Sequence, residues 1–208
     1  MGCGPQQEIP PQAEGQRRWD PGRARSRFGT YRGLVHHLLA WIENVSGGYR
    51  RFKQIRWDGV QRVVFVCHGN ICRSPYAERR AATYGLPVAS FGLSAQTGAA
   101  ADPCARKIAA RRAIELAEHS ACDVKDFKFQ GGDLLAVMEP RQVRAMLRIL
   151  PSIPCQLTLL GLWCQPPRPH IHDPHRLSEA YWQQCFDVID SAVRGIADQM
   201  HSSAPHER

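Results

Sequence analysis

No stretch of this chain approaches the ~18 consecutive apolar residues of a membrane-crossing helix; the longest run, around Leu38 to Ile42, is far shorter. A secretory signal stretch is missing from the N-terminus too, so a cytoplasmic protein is the expectation. The eight cysteines contain no CxxC pair and no regular framework, which excludes a disulfide scaffold and points to reduced, mostly buried thiols. Internal repeats and long runs of like charge are also lacking. Lys and Arg outnumber Asp and Glu by 27 to 19, and residues 1–59 hold ten basic and five acidic residues. That lopsided excess lacks the charge block expected of a nucleic-acid-binding arm. What is present is ordinary globular material, 43% hydrophobic and 22% charged, which excludes wholesale disorder. With 208 residues, one domain of ~150 residues plus an extension is expected, large enough to hold together without metal or disulfide staples.

The extension comes first. Residues 1–29 read as a flexible basic tail. Tyr31, Leu34, Val35, Leu38, Leu39, Ile42 and Val45 recur at three- and four-residue spacing, predicting an amphipathic helix within a 30–59 helix-and-linker segment. Burial of that stripe on the main domain is the expectation. The alternative is a weak contact with a membrane or partner, because Arg50, Arg51, Lys53 and Arg56 follow directly. A domain over 60–200 comes next, then a short tail over 201–208. Within the domain, strands are predicted at 63–66, 88–91, 134–138 and 156–160. Helices are predicted from about 75, and over 104–116, 141–150 and 177–200. Alternation of this kind implies an α/β fold: an open, mostly parallel four-stranded sheet with helices on both faces. Ligands bind such sheets beyond the carboxyl ends of the strands.

The turn after the first strand carries chemistry. It reads Val66-Cys67-His68-Gly69-Asn70-Ile71-Cys72-Arg73-Ser74-Pro75. A cysteine, five residues and an arginine between a strand and a helix make a ring of backbone N–H groups that can cradle a phosphate dianion. The same field favours a thiolate at Cys67. Arg73 offers a planar fork for two phosphate oxygens. Gly69 and Asn70 tolerate the left-handed backbone of a tight loop, and Ser74-Pro75 suits a helix start.

VFVCHGNICRSPYAE resembles, nearly residue for residue, the signature of the low-molecular-weight protein-tyrosine phosphatases. Ser90-Phe91-Gly92, Ala101-Asp102-Pro103, the Asp133–Met138 strand and His172-Asp173-Pro174 are similar to further landmarks of that family, over about residues 60–200. The resemblance implies hydrolysis of phosphotyrosine in a protein or aryl phosphate through a phosphocysteine. Cys67 would be the nucleophile, Arg73 the phosphate clamp and Asp173 the general acid and base. His68, Gly69, Asn70, Ile71, Cys72 and Ser74 would bind substrate, with Ser74 bonding the Cys67 sulfur; no metal and no cofactor enter. A proton from an acid such as Asp173 is worth ~10²–10⁴-fold when a tyrosyl oxygen leaves. Cys72 is open to two readings, a protective disulfide partner of Cys67 or a buried loop cysteine without a redox task.

Departures bear on specificity. His175 stands after the Asp-Pro, where phosphotyrosine-specific relatives often carry tyrosine, and Ala95-Gln96-Thr97 lacks the aromatic often found there. Ile71 differs from the threonine of phosphoarginine-specific relatives and favours phosphotyrosine. His170, His172 and His175 form HxHxxH, read as an exposed polar loop in preference to a metal site. Two rivals share the loop: an arsenate reductase, which needs relay cysteines missing after Met138-Glu139, and a non-catalytic phosphate-binding scaffold, which needs neither Cys67 nor Asp173.

Overall fold

Val63, Val64, Phe65 and Val66 are wholly buried, because the strand that holds them, β1 (Arg62–Cys67), is covered on both faces and paired on both edges. An apolar run without polar alternation is what such a position demands. The structure, a computed structural model, describes residues 27–149 and 155–203. β2 (Val88–Gly92), β3 (Asp133–Val137) and β4 (Gln156–Leu159) complete a four-stranded sheet in the order β2-β1-β3-β4, every pair parallel. The chain moves from β1 to β2 on one side and then returns to β3 on the other. The loops after β1 and β3 therefore diverge, and the crevice they leave lies beside the end of β1.

The helices follow from the same alternation. After the N-terminal helix α1 (Tyr31–Val45) come α2 (Arg73–Ala82), α3 (Pro103–Ala110), α4 (Pro140–Ile149) and α5 (Glu179–Ser203). Val63, Phe65 and Cys67 point to one core with α2, α3 and α5, where the Tyr76 and Phe186 rings stack 3.7 Å apart. Val64, Val66, Leu135 and Val137 point to the other, with Val143 and Met146 of α4 and with Tyr49 and Phe52. The helix expected over 104–116 stops at Ala110 instead. Ala113 adopts φ 58° and Ile114 N–H returns to Ala109 O at 3.0 Å, a left-handed C-terminal stop. Ile114 and Leu116 are then both buried, which two residues at i and i+2 on a continuing helix could not manage on one face.

The larger difference concerns α1. The helix forms, capped by Thr30, whose side chain accepts from Gly33 N–H at 2.9 Å, but its apolar stripe is not what it buries. Gly33 and Ala40 are the buried positions, and they let the helix backbone lie close to the domain. A Cβ on Gly33 would sit 3.0 Å from the His172 ring and 2.1 Å from Phe28 O. Tyr31, Leu39, Ile42 and Val45 stay 77%, 59%, 57% and 66% exposed. Phe28 and Gly29, expected in the tail, also pack, Phe28 on His37 with ring centres 5.1 Å apart and Gly29 against Leu177 and Tyr181. The rest of that expected tail, residues 1–26, lies outside the described residues, as do 204–208 of the C-terminal one; 201–203 continue α5.

Docking α1 buries histidines. Burial, helped by Arg168 and Arg27, lowers His37 to about 4. Burial is also the largest cause at His170, which falls to about 3 even though Glu139 pulls the other way. Both folded values lie below the unfolded ~6.5, so the unfolded chain binds more protons as pH falls, and stability drops from about pH 6.5 down to about 4 for His37 and about 3 for His170. After discounting for solvent at half-exposed His37, about 1–2 kcal/mol should be lost between pH 7 and 5, or roughly 3–6 °C in Tm. The double variant His37→Gln, His170→Gln should show a visibly flatter Tm-against-pH curve; an unchanged slope would refute the assignment.

Candidate active site

β1 ends at Cys67 and α2 starts at Arg73, and the loop between them is held by its carbonyls. Cys67 O accepts from Leu93 N–H at 3.0 Å, His68 O from Ser94 N–H at 2.9 Å, and Ile71 O from Asp102 N–H at 2.8 Å. Asn70 O meets His119 Nε2 at 2.7 Å. In a trans peptide the N–H points opposite its carbonyl. With these carbonyls tied to the surrounding chain, the N–H groups of His68, Gly69, Ile71 and Cys72 are turned to the inner side of the loop. Gly92 permits this closeness, since a Cβ there would sit 2.7 Å from His68 O and 2.9 Å from Asn70 N.

Asn70 holds the loop from beneath. It is wholly buried and left-handed, φ 51°. Its amide donates to Ser74 Oγ and Ser90 Oγ, each at 2.8 Å, and its Oδ1 accepts from Cys122 N–H at 2.9 Å. Ser90 in turn donates to Glu78 at 2.5 Å. Ser74 Oγ lies 3.0 Å from Cys67 Sγ, and Asn70 N–H donates to the same sulfur at 3.2 Å. The Cys67 sulfur thus has one backbone donor, Asn70 N–H, and the Ser74 hydroxyl within bonding distance.

Arg73 is 1% exposed and faces two carboxylates. Its Nη1 donates to Glu139 Oε1 at 2.6 Å and to Ile171 O at 2.8 Å, while Nη2 pairs with Asp173 Oδ2 at 2.8 Å. Burial opposes charge on Glu139, but Arg73, with Arg141 beside it, outweighs burial and holds the carboxyl at about 2. Arg73 Nε finds no acceptor among the described residues, and a buried guanidinium N–H without a partner is a site for an incoming oxygen. Cys67, His68, Gly69, Ile71, Cys72, Arg73, Asp173 and His175 line one cavity of about 220 Å³. Asn70 and Ser74 do not reach it; they sit below as its frame.

The two loop cysteines have different surroundings. Burial, then Asp173, Asp102 and Cys67, push the Cys72 thiol far up, so Cys72 stays a thiol. The HxHxxH histidines separate: His170 and His172 lie 5.7 Å apart facing α1, with Thr30 Oγ1 3.1 Å from His172 Nε2, whereas His175 turns to Asp102, Nδ1 to Oδ2 3.2 Å. His170 is buried, so the exposed polar loop expected there is corrected, because α1 covers it. Among the described residues one group has ligand atoms close enough for a metal, Cys72, Asp102 and His175, all within 4.8 Å of one another.

Glu139, Ser90, Glu78 and His119 were not among the site residues expected from the sequence, although Ser90 and Glu78 lie in stretches that resemble the family. Glu139 had a usable signal, an acidic residue directly after a central strand at the switch point. Ser90 and His119 meet Asn70 from 20 and 49 residues away, and Glu78 is reached only through Ser90, adjacencies that linear spacing does not mark. Asn70→Ala should lower kcat/KM about 10–100-fold and Tm by roughly 10 °C, as the φ penalty of ~1–2 kcal/mol adds to three lost buried bonds of ~1 kcal/mol each. Asn70→Gly restores the backbone freedom alone. If it restored full activity, the side-chain network would be irrelevant.

Residues 62–205 match the family model described as low molecular weight phosphotyrosine protein phosphatase. The low molecular weight protein-tyrosine-phosphatase Wzb of Salmonella typhi is 32% identical over 143 residues, 68% of this chain and 95% of its own. Among solved structures, the tyrosine phosphatase AmsI of Erwinia amylovora is 30% identical with a TM-score of 0.57, covering 67% of this chain and 92% of that one. Wzb of Vibrio vulnificus, in complex with benzylphosphonate, is 26% identical with a TM-score of 0.59, covering 67% and 99%.

Proposed function

The chain belongs to the low molecular weight phosphotyrosine protein phosphatases, hydrolases acting on phosphotyrosine in proteins, and we propose that Cys67, Arg73 and Asp173 carry the reaction in it. The observation that carries this is the pairing of Arg73 with Asp173 at 2.8 Å across the cavity that also holds the Cys67 sulfur. A phosphate dianion seated on the loop N–H groups would claim Arg73, taking Nε and Nη2, and so release Asp173 towards the leaving oxygen. Glu139 keeps Nη1 and with it the orientation of the fork. Cys67 Sγ attacks phosphorus as the P–O bond to the tyrosyl oxygen breaks, and that oxygen takes the Asp173 proton. Water then attacks the phosphocysteine, its proton passes to Asp173, and the thiolate leaves against Ser74 Oγ.

Ile71 and His175 form the wall that an aryl ring would touch, in keeping with the benzylphosphonate held by the Vibrio relative. The same reading places the protein in the cytoplasm, where a thiolate beside a second thiol stays reduced, and gives the arm ahead of Trp57 a contact of its own. The test compares a phosphotyrosine peptide, p-nitrophenyl phosphate and a phosphoarginine peptide at neutral pH without added metal. The first two should be hydrolysed, the third at least about tenfold more slowly. Arsenate-dependent thiol oxidation, or no turnover of any substrate, would reject the reading.

A further inference from the structure

Nine large apolar side chains are exposed among the described residues, and seven of them lie on α1. At 3.6 residues per turn, Tyr31, Val35, Leu38, Leu39, Ile42 and Val45 fall with Trp41 in one arc of roughly 160°. No charged residue interrupts that arc; Arg32 and Glu43 lie on its flank. The opposite side of the helix, Gly33 and Ala40, is the side pressed on the domain. A surface helix of a globular protein buries its apolar face, and this one buries the small-residue face and leaves the apolar face open. Contiguous patches of this kind mark an interaction site.

The charge around the patch says what covers it. Residues 30–56 hold five basic residues, Arg32, Arg50, Arg51, Lys53 and Arg56, against one acid, Glu43, while Arg27 lines a cavity on the docked side. Glu43 already accepts from Tyr49 Oη at 2.6 Å. A two-fold pairing of α1 with a second copy would place these cations against their own images. Residues 1–26 offer only Met1, Ile9 and Trp19 as large apolar side chains, too few for the face. An anionic lipid surface suits both features at once, acyl chains for the apolar arc and headgroups for the cations, with Trp41 and Tyr31 of the kind that sit at headgroup level. α1 has 15 residues, about 22 Å, and no described helix is long and apolar enough to cross a membrane. It would lie in the interface.

We infer that α1 is a peripheral membrane-docking helix that seats the protein on anionic bilayers through its open apolar face and the cations flanking it. This goes beyond the hydrolytic reading and does not depend on it. Thr30 and His36 on the docked side touch His172 and His170, the residues leading to Asp173, so the lipid-facing helix is tied directly to the segment that carries Asp173.

The full chain should co-sediment with vesicles of phosphatidylcholine containing about a third phosphatidylglycerol, and at least about tenfold less with phosphatidylcholine alone. Leu38→Asp with Ile42→Asp changes two exposed positions and should keep Tm within about 2 °C while losing at least about tenfold in vesicle binding. Arg50→Gln with Arg51→Gln, which leaves the apolar face intact, should lower binding several-fold on the anionic vesicles only. Full-length protein that stays in the supernatant with anionic vesicles overturns the inference. So does binding that both double variants retain. A dimer in sedimentation equilibrium that Leu38→Asp dissolves, without vesicle binding, would assign the face to a second copy instead.

Discussion

Cys67→Ser should lose turnover by on the order of 10⁴-fold or more, the scale of removing a nucleophile from a set of residues that acts as a unit. Phosphate and vanadate binding should survive nearly intact. The reason is structural: the loop is held by carbonyl bonds from Leu93, Ser94, Asp102 and His119 and by the Asn70 amide, and Arg73 is held by Glu139 and Ile171. None of these uses the Cys67 sulfur as an essential partner. Cys72→Ser is the informative control, since burial and nearby Asp173 keep that thiol protonated, and most activity should remain. Chelators should leave the wild-type rate unchanged. A rate that needs added zinc or magnesium, or a Cys72→Ser variant as inert as Cys67→Ser, would contradict the assignment of the nucleophile.

Asp173→Asn should separate substrates by their leaving groups. Phosphorylation of the enzyme by a phosphotyrosine peptide should slow ~10²–10⁴-fold, because the tyrosyl oxygen needs a proton as it departs. Nitrophenolate leaves with little protonic help, so the same step with p-nitrophenyl phosphate should slow far less. A second effect follows from the 2.8 Å pair between Asp173 Oδ2 and Arg73 Nη2. Asparagine removes a carboxylate that competes with phosphate for the guanidinium, so inorganic phosphate should inhibit the variant more tightly than the wild type. Equal slowing for both substrates in single-turnover measurements would move the acid role elsewhere, with His175 the residue to examine, as its backbone N–H already bonds Asp173 Oδ1 at 3.2 Å.

How much of this was legible beforehand depends on the range over which each feature is encoded. The loop from Cys67 to Arg73 was readable because a phosphate cradle is local: one strand end, one glycine, one residue tolerant of positive φ, and a helix start within ten positions. The four strands were readable because the buried strands of a parallel sheet read as short apolar runs between turn signals, and the termini fell within a residue or so of the expected bounds. Asp173 was readable only as an acid before proline, and the structure brings its carboxylate across about 100 residues of chain to Arg73.

Glu139, Ser90 and His119 belong to the site because strand order brings them there. β2 and β3 flank β1, so their carboxyl ends, and the residues that follow, fall beside the loop. Linear spacing carries no such adjacency. The N-terminal helix shows the limit most clearly. Periodicity established that Tyr31 to Val45 is helical and which residues share a face, since both follow from 3.6 residues per turn. Which face meets the domain was settled by what the domain presents: a polar histidine wall of His170 and His172, which only a residue as small as Gly33 can approach so closely, and an apolar core with Tyr49 and Phe52 that takes Ala40.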